Sequence, residues 1–268
     1  MREMRFWKMS GAGNDFVLIT GGRLHTAALK ELAGKLCARK LAIGADGLLY
    51  VNRAGRGGVS VRYFNPDGSE AFCGNGSRCA AWWAWSSGVV RTKKFRLATS
   101  AGELEAEIAG PGSVRMRMPD VPECRLDLPG RYPGGIKAVH FLNTGVPHAV
   151  SPVSGLDGLD VEKLGRKLRC NKAFGRAGSN VDFVAVRGGR VHVRTYERGV
   201  EGETLACGTG LTASAVALVL AGKVKSPVRL RARSGEDFKV WLEASGAGAS
   251  GIYIQGPAKI VFTGEISC

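Results

Sequence analysis

Two short segments of the sequence carry residue types suited to acid–base chemistry. Cys73-Gly74-Asn75-Gly76 and Cys207-Gly208-Thr209-Gly210 each precede a run of small or apolar residues that predicts a buried helix. Glycines at a helix start let the backbone approach a ligand closely, and the exposed N–H groups there bind anions. A cysteine at the positive end of the helix dipole is expected to have a pKa below its usual ~8.5, so that thiolate forms near neutral pH.

A pair of such cysteines is suited to inverting a stereocentre. A thiolate would remove a proton from one face of a carbon acid while a thiol returns a proton to the other face, in either direction. The helix starts would hold the neighbouring carboxylate and stabilise the charge that develops as the C–H bond ionises. A lone cysteine before a glycine turn is usually structural, but the recurrence of the motif favours chemistry.

The residues disfavour other chemistry. A disulfide redox couple would need the two sulfurs to bond and would leave no room for a substrate. The glycine segments lack the Lys-Ser/Thr of a phosphate loop and the full dinucleotide fingerprint. No lysine stands out as a Schiff-base site for pyridoxal phosphate, and the spacing of Cys73 and Cys79 matches no common zinc site. Neither a cofactor nor a metal is therefore expected.

Each cysteine segment belongs to a repeat of about half the chain. Val59–Asn65 aligns with Val191–Glu197, 132 residues later, and the two cysteines lie 134 residues apart. Weaker matches keep the same order: Gly34–Leu36 with Arg166–Leu168, Asn14–Val17 with Pro147–Val150, Ala45–Leu48 with Val181–Val184, and Ala101–Glu103 with Ser234–Glu236. The chain is therefore predicted to consist of two homologous halves that face each other about a pseudo-twofold axis.

The predicted elements are alike in both halves. Thr26 is expected to cap a helix with apolar residues at Leu29, Leu32, Ala33 and Leu36, and Asp160 to cap its counterpart, in which Val161, Leu164 and Leu168 face inward. Buried helices are predicted at Cys79–Trp85 and Leu211–Leu220. Strands are predicted at Val59–Phe64, Phe95–Ala98, Val114–Met118, Val191–Tyr196, Val228–Ala232, Phe238–Leu242 and Ile252–Ile254.

These elements define an α+β fold class. Each half is predicted to be a strand-rich, barrel-like sheet wrapped around a central helix. The N-terminal half is expected to span residues 1–118 and to carry Cys73, and the C-terminal half to span residues 119–256 and to carry Cys207. The Pro- and Gly-rich stretch Pro119–Gly135 is the expected connection.

Composition is typical of a globular protein. The 268 residues are 44% apolar and 23% charged, a balance that disfavours disorder. No run approaches the ~18 apolar residues of a membrane span, so no membrane is expected as a partner. The basic start of the chain lacks the apolar core of a secretory signal, so we expect a cytoplasmic protein whose seven cysteines are free thiols.

The formal net charge of +15 raises the alternative of a nucleic-acid-binding protein. The Lys and Arg residues are scattered, with only loose enrichment at 91–96, 166–176 and 223–239. There is no zinc-finger spacing and no aromatic ribonucleoprotein motif. Nucleic acid is therefore not the expected partner, although the charge is left unexplained.

The motifs resemble the diaminopimelate epimerase family, whose members work without a cofactor. The resemblance spans nearly the whole chain, from Met9–Phe16 to Gly256–Lys259 and Gly264–Ile266. Its most specific stretches are Phe64–Ser69, Cys73–Cys79, Tyr196–Gly199, Glu203-Thr204 and Ala206–Gly210. Racemases of proline and hydroxyproline share the two-thiol plan but are not expected to match the Gly-Asn-Asp-Phe and Glu-Arg-Gly segments.

The resemblance implies roles for individual residues. Cys73 and Cys207 would be the two proton carriers, and the amides of Gly74, Asn75, Gly208 and Thr209 would bind the reacting carboxylate. Asn14, Asn65, Asn180 and Arg198 would hold the polar ends of the substrate, while Glu197 and His148 would lie near the reacting amino group and the thiols. It further implies a small-molecule amino-acid substrate, a homodimer, and a last strand at 257–268 that completes the first half.

Taken alone, several of these residues have ordinary structural explanations. Asn65 could be a turn residue before Pro66, Asn14 a local cap, and His148 a satisfied loop histidine; Glu197 and Arg198 could be a surface pair.

Three departures from the family pattern concern the substrate. The usual Gly-Asn-Pro-His is here Gly145-Val146-Pro147-His148, which removes a side-chain amide. The loop at 200–202 has an extra residue, and Gly47 replaces a polar side chain found in some members. The expected reaction is interconversion of LL- and meso-diaminopimelate in lysine and peptidoglycan-precursor biosynthesis, with a racemase or isomerase of another amino acid as the alternative.

Overall fold

The computed structural model describes residues 3–267, so Met1, Arg2 and Cys268, at the ends of the predicted halves, lie outside the described residues. The strands are β1 (Glu3–Gly11), β2 (Asn14–Ile19), β3 (Gly47–Arg53), β4 (Val59–Phe64), β5 (Glu70–Ala71), β6 (Lys94–Thr99), β7 (Gly102–Gly110), β8 (Ser113–Arg117), β9 (Cys124–Arg125), β10 (His140–Asn143), β11 (Pro147–Pro152), β12 (Asn180–Arg187), β13 (Arg190–Glu197), β14 (Gly202–Thr204), β15 (Val228–Arg231), β16 (Asp237–Ser245), β17 (Gly248–Pro257) and β18 (Lys259–Ser267). The α-helices are α1 (Thr26–Cys37), α2 (Gly74–Ser86), α3 (Val161–Arg169) and α4 (Gly208–Leu220).

The chain forms two compact units. The first unit contains the described residues up to Met116 together with those from Gly256 onward, and the second unit contains Arg117–Gln255. No helix among residues 3–267 is long and apolar enough to cross a membrane.

In the first unit the strands lie in the order β18-β1-β2-β3-β4-β6-β7-β8. The pairs β2/β3 and β4/β6 are parallel, and every other neighbouring pair in this order is antiparallel. The short strand β5 pairs with the end of β4. The helix between β2 and β3 and the helix between β5 and β6 supply the crossovers that parallel pairs require.

The second unit repeats this order as β9-β10-β11-β12-β13-β15-β16-β17. Again the two crossover pairs, β11/β12 and β13/β15, are parallel, and β14 pairs with the end of β13 as β5 does with β4. Strand for strand, the two units have the same topology. The predicted α+β class with two homologous halves is therefore confirmed.

A helix lies inside each sheet. Helix α2 contacts β1, β2, β3, β4, β7 and β18, and α4 contacts β9–β13, β15 and β16. Ala80, Ala81 and Ala84 of α2 are fully buried, as are Ala213, Ala215 and Ala217 of α4. Because strands pack on several sides of this helix, its surface must be apolar all round, and its small side chains let the strands approach closely. This confirms the prediction of a sheet wrapped around a central helix.

The other helix of each unit, α1 or α3, packs on the outer face of the sheet. Leu29, Ala33 and Leu36 of α1 join one buried cluster, and Val161 and Leu168 of α3 join another. The Asp160 side chain accepts from the Lys163 N–H at 3.0 Å, which confirms the predicted cap of α3. Leu164, by contrast, is only partly buried.

The predicted cap of α1 is wrong. Thr26 is the first residue of the helix, and the capping residue His25 makes no side-chain hydrogen bond. The Thr26 hydroxyl instead accepts from the guanidinium of Arg62, which Glu70 holds in place from β5 at 2.6 Å. The Thr26 oxygen therefore accepts from a residue distant in sequence and not from a backbone N–H of the helix, as the local pattern predicted.

Two further expectations need correction. Pro119–Gly135 is not a free connection, because Val121 bridges to Ala249 and β9 is the edge strand of the second unit. The alignment of Ala45–Leu48 with Val181–Val184 is out of register by three residues. Leu48 pairs with Phe64 and Val181 with Tyr196, and Phe64 and Tyr196 are equivalent, so Leu48 corresponds to Val181.

Candidate active site

Cys73 and Cys207 occupy the same structural position in the two units. Each is the residue that immediately precedes the central helix, with an extended backbone (φ −138°, ψ 111° for Cys73 and φ −116°, ψ 110° for Cys207). Each central helix begins earlier than predicted, at Gly74 and Gly208, because the glycine-containing segment itself forms the first turn. The amides of that turn are directed away from the helix body and have no intrahelical acceptor.

Cys73 is half-buried and lies among amide groups. Its sulfur accepts from the N–H of Gly76 at 3.4 Å and contacts the Asn14 Oδ1 at 3.6 Å, where the thiol is the donor. The Asn75 side chain donates to the same Asn14 oxygen at 3.3 Å. Asn14 is thus placed by its neighbours to accept hydrogen bonds next to the sulfur.

A cluster of charges fixes the orientation of Asn14. Its Nδ2 donates to Asp46 at 2.8 Å, which leaves Oδ1 facing Cys73. Arg39 bridges Asp46 and Asp15, and Lys8 pairs with Asp15 at 2.6 Å. Burial raises the pKa of Asp15, but hydrogen bonds from Lys8 and Arg39 outweigh burial and hold that pKa below its usual value.

Cys207 is more deeply buried, at 7% exposure, and its partners are different. Its sulfur lies 3.3 Å from the Thr209 hydroxyl, which lies 3.0 Å from His148 Nε2. His148 Nδ1 lies 2.7 Å from the carboxylate of Asp182. His148 and Asp182 are both fully buried.

Burial reverses the expected pKa shift at Cys207. The helix dipole was expected to lower the pKa, whereas burial raises it well above the usual value, with the nearby charges of Glu197 and Asp182 adding to the effect. Desolvation penalises a thiolate more than the dipole of one helix end favours it. The sequence-based expectation of an easily formed thiolate is therefore wrong for Cys207.

Asn180, Glu197 and Arg198 surround the same histidine. Asn180 Nδ2 lies 3.3 Å from His148 Nε2, and its Oδ1 accepts from the Arg198 N–H at 2.8 Å. Burial raises the pKa of Glu197, and the nearby charge of Asp182 adds to the effect. The Arg198 guanidinium contacts the carbonyls of Ala177 and Gly178 and makes no ion pair within residues 3–267, so Glu197 and Arg198 do not form the surface pair considered above.

Asn65 has the role of a turn residue. Its Oδ1 accepts from the Tyr63 hydroxyl at 2.9 Å, and its Nδ2 donates to Ser69 at 2.9 Å. The side chain is thus satisfied within its own turn. A substrate role for Asn65 stays a prediction.

The remaining described cysteines are free thiols, and three of these four are buried. Burial raises the pKa of Cys37 to about 11 and the pKa of Cys79 and Cys124 to about 12. Cys170 is exposed. Within residues 3–267 no group of three or more His, Cys, Asp or Glu side chains is arranged to hold a metal ion.

Comparison with known proteins decides the family. A sequence profile described as "Diaminopimelate epimerase" matches residues 6–121 and 140–261. The chain belongs to the diaminopimelate epimerase family. Two relatives named diaminopimelate epimerase are each 39% identical: the protein of Chlorobaculum tepidum over 97% of this chain and 100% of its own length, and that of Aquifex aeolicus over 98% of both.

Solved structures with the same fold extend beyond the diaminopimelate epimerase family. A phenazine biosynthesis protein of the PhzF family from Bacillus anthracis matches with a TM-score of 0.78 at 15% identity over 100% of both chains. A probable proline racemase from Agrobacterium radiobacter matches with a TM-score of 0.70 at 19% identity, over 98% of this chain and 93% of that one. At this identity the likeness concerns the fold.

Sequence reasoning missed two carboxylates near the thiols, the partly exposed Asp46 and the fully buried Asp182. Asp46 and Asp182 were part of aligned segments but were given no role. The available signal was an acidic residue flanked by apolar residues, as in Val181-Asp182-Phe183, because a carboxylate inside a buried strand requires a partner. The identity of that partner depends on strand pairing and could not be predicted from the sequence.

Proposed function

We propose that the protein interconverts LL- and meso-diaminopimelate without a cofactor, using Cys73 and Cys207 as the two proton carriers. The observation that carries this proposal is the equivalence of the two cysteines: each precedes the central helix of one of two units with the same topology. Membership in the diaminopimelate epimerase family supplies the substrate.

In the proposed reaction one sulfur is a thiolate and the other a thiol. The thiolate takes the proton from the α-carbon, and the electron pair of the C–H bond is delocalised into the carboxylate. The thiol then gives its proton to the opposite face of the same carbon, so the stereocentre is inverted and the two sulfurs have exchanged protonation states. The mechanism requires that one bound substrate be within reach of both sulfurs.

The helix starts are suited to holding the reacting carboxylate. The amides of Gly74 and Asn75 in one unit, and of Gly208 and Thr209 in the other, belong to the first turns that lack intrahelical acceptors. Such amides bind anions and stabilise the negative charge that grows on the carboxylate oxygens during ionisation.

The distal end of the substrate would be held by Arg198, Asn180 and Asn14. Arg198 is suited to a carboxylate because a guanidinium can donate two parallel hydrogen bonds, and it has no ion-pair partner within residues 3–267. The pKa of Glu197 is raised by burial, and this carboxyl would lie near the amino group. The Val146 side chain offers no hydrogen bond where the family usually has an asparagine, which keeps another amino acid as the alternative substrate.

The first prediction tests the two thiols together with the substrate. In heavy water the wild-type protein should exchange the α-proton of diaminopimelate and interconvert its isomers, while Cys73→Ala and Cys207→Ala should each abolish epimerisation, because each removes one proton carrier. Chiral chromatography and mass spectrometry measure both events across a panel of amino acids. Cys170→Ala, at an exposed site, is the control and should retain full activity.

Two results would contradict the proposal. Turnover near the wild-type rate by either active-cysteine variant would eliminate the two-thiol mechanism. Exchange of the α-proton of proline or another amino acid, but not of diaminopimelate, would show that the proposed substrate is wrong and would leave the two-thiol mechanism standing.

The assembly and location also stay proposals. We infer a cytoplasmic homodimer that does not bind nucleic acid in its function, on the basis of the family resemblance and the scattered basic residues. Light scattering measures the mass in solution. Association with a random oligonucleotide should be weak and should vanish as salt screens the positive charge.

A further inference from the structure

The second unit contains an unbroken line of hydrogen-bonding contacts from a buried carboxylate to the Cys207 sulfur. The contacts are Asp182 Oδ2 to His148 Nδ1 at 2.7 Å, His148 Nε2 to Thr209 Oγ1 at 3.0 Å, and Thr209 Oγ1 to Cys207 Sγ at 3.3 Å. The residues come from β11, β12 and the start of α4.

The carboxylate end of this line is fixed. The Thr195 hydroxyl donates to the second oxygen of Asp182 at 2.7 Å, so both carboxylate oxygens have partners. A carboxylate only accepts, which assigns the proton of a neutral His148 ring to Nδ1. Nε2 of the neutral ring is then an acceptor facing the Thr209 hydroxyl.

The same positions in the first unit hold no such line. Strand register makes His148 equivalent to Phe16, one residue away from the Asp15 with which the sequence alignment paired it, and makes Asp182 equivalent to Leu49. Thr209 corresponds to Asn75. The fold therefore packs well with apolar side chains at two of these three places. Because a buried carboxylate and imidazole cost desolvation that phenylalanine and leucine do not, the polar set in the second unit indicates a chemical role.

We propose that the Thr209 hydroxyl passes the Cys207 proton to His148, with Asp182 as the positioning residue that holds the imidazole to receive it. The S–H bond breaks as its proton binds Thr209 Oγ1, and the original hydroxyl proton moves to His148 Nε2. The products are a thiolate and an imidazolium, so protons and net charge are conserved. The inference rests on the proposed function, in which Cys207 is the base for one isomer.

Burial explains why Cys207 would need an internal acceptor. Releasing its proton to solvent would leave a net negative charge in a desolvated place that already contains Asp182 and Glu197, and both raise the pKa of Cys207. Transfer to His148 instead forms a cation within a few ångströms of the thiolate and against Asp182. The titratable groups facing Cys207 and His148 are thus Asp182 on β12 and Glu197 on β13.

The test is the pH dependence of Cys207 alkylation by iodoacetamide in the full chain, followed by peptide mass spectrometry. Thr209→Val keeps the shape of the side chain and the backbone amide but removes the hydroxyl. At about pH 7.5 it should slow Cys207 alkylation by roughly tenfold, the equivalent of one pKa unit, and move the midpoint of the pH profile upward. Asp182→Asn should also shift the midpoint upward. With Thr195 donating to the remaining oxygen, the new amide would donate to His148 Nδ1 and hold the ring proton on Nε2, and this loss of the acceptor should outweigh the removal of the Asp182 charge.

Thr209→Ser is the matched control, because it keeps the hydroxyl and should restore most of the alkylation rate. Cys73 in the same samples reports any general loosening and should keep its wild-type profile in every variant. In kinetics, Thr209→Val should lower kcat while KM changes little. Because the equilibrium constant between the two isomers is fixed, kcat/KM should fall by the same factor in both directions. A purely structural role would instead shift Cys73 and Cys207 together.

A measurement on the wild-type protein covers the case in which Asp182→Asn does not fold. Long-range ¹⁵N–¹H spectra of the four histidines, assigned with His148→Gln, should show His148 protonated at Nδ1. A ring protonated only at Nε2, or a Cys207 profile unchanged in Thr209→Val, would overturn the relay. Neither measurement uses a substrate, so failure of the relay is distinguishable from failure of the proposed epimerisation.

Discussion

The two thiols have chemically different neighbours. The Asn14 oxygen beside Cys73 can only accept a hydrogen bond, whereas the Thr209 hydroxyl beside Cys207 can accept and donate. An acceptor favours the thiol, and a donor favours the thiolate. Equivalent positions in the fold therefore do not make the two thiols equivalent, and each thiol is expected to have its own pH profile of alkylation.

Glu197 provides a test of electrostatics at a single residue. Burial raises its folded-state pKa above the unfolded value, so its contribution to stability is fully present below the unfolded pKa and is lost as pH rises through the folded pKa. Glu197→Gln is permanently neutral and should match wild-type stability near pH 4 but exceed it near pH 8. Thermal unfolding should show a higher Tm for the variant at the higher pH, by about 2–4 °C for each kcal/mol relieved.

The control for this prediction is Glu201→Gln, for which the sign is opposite. A hydrogen bond from Arg169 lowers the pKa of Glu201, so its ionised form favours the folded state above the unfolded pKa. The control should therefore lose stability, if it changes at all, at the higher pH. A Glu197→Gln variant less stable than wild type near pH 8 would show that burial does not dominate at this carboxyl.

The sequence was informative for residues whose role is local. Cys73 and Cys207 were predicted at the starts of their helices, and Asp160 at a cap, because the deciding contacts lie within a few residues along the chain. Asp46 and Asp182 act through partners 32 and 34 residues away, Asn14 and His148. Strand pairing creates those contacts, so no local pattern could assign them.

At the scale of elements, the start of α4 depends on the missing side chain of Gly210. A Cβ there would overlap the Asp182 carboxylate and come within 3.2 Å of the Thr195 hydroxyl. Gly210→Ala should therefore destabilise the protein by about 1–3 kcal/mol, the usual cost of overpacking a buried site, and displace Asp182 from His148. Urea unfolding measures the first effect and alkylation of Cys207 the second.

Gly74→Ala at the start of α2 is the matched stability control. No atom lies within 4 Å of a Cβ added at Gly74, so alanine there should be neutral or gain up to about 1 kcal/mol from its better helix propensity. Equal losses of stability in the two variants would mean that the cost at Gly210 reflects helix geometry in general and not contact with the carboxylate.

Elements were predictable where periodicity and repetition agreed. Val59–Phe64 was predicted with its observed bounds, and the buried helices were recognised although their first turns were not. The wrong cap at Thr26 shows what local patterns cannot predict, because its partner Arg62 is 36 residues away and is held in place by Glu70 of β5. The segment Pro119–Gly135 was also mispredicted. Its composition is that of a linker, whereas its pairing with β17 forms only in the assembled second unit.

At the scale of the whole molecule, the first unit is built from both ends of the chain. Strand β18 pairs with β1 from Glu3 to Ser10, and its counterpart β9 in the second unit precedes its partner β10 in sequence. Strand β18, which follows the whole second unit in sequence, thus covers an edge of the first unit. An uncovered edge strand exposes unpaired N–H and C=O groups and is prone to aggregation.

This arrangement predicts opposite outcomes for removing and for moving β18. Deleting residues 258–268 should destabilise the first unit and abolish activity. Trypsin should then cleave within residues 3–116, and iodoacetamide should alkylate Cys73 faster. A permuted chain that places residues 258–268 before residue 1 should fold and remain active. Glu3 and Ser267 are paired across the antiparallel strands, so a connection of hairpin length is enough to join them. The permutant would then have the strand order of the second unit, in which the edge strand comes first. A truncated protein that is both stable and active would show that β18 contributes neither to the edge nor to the site.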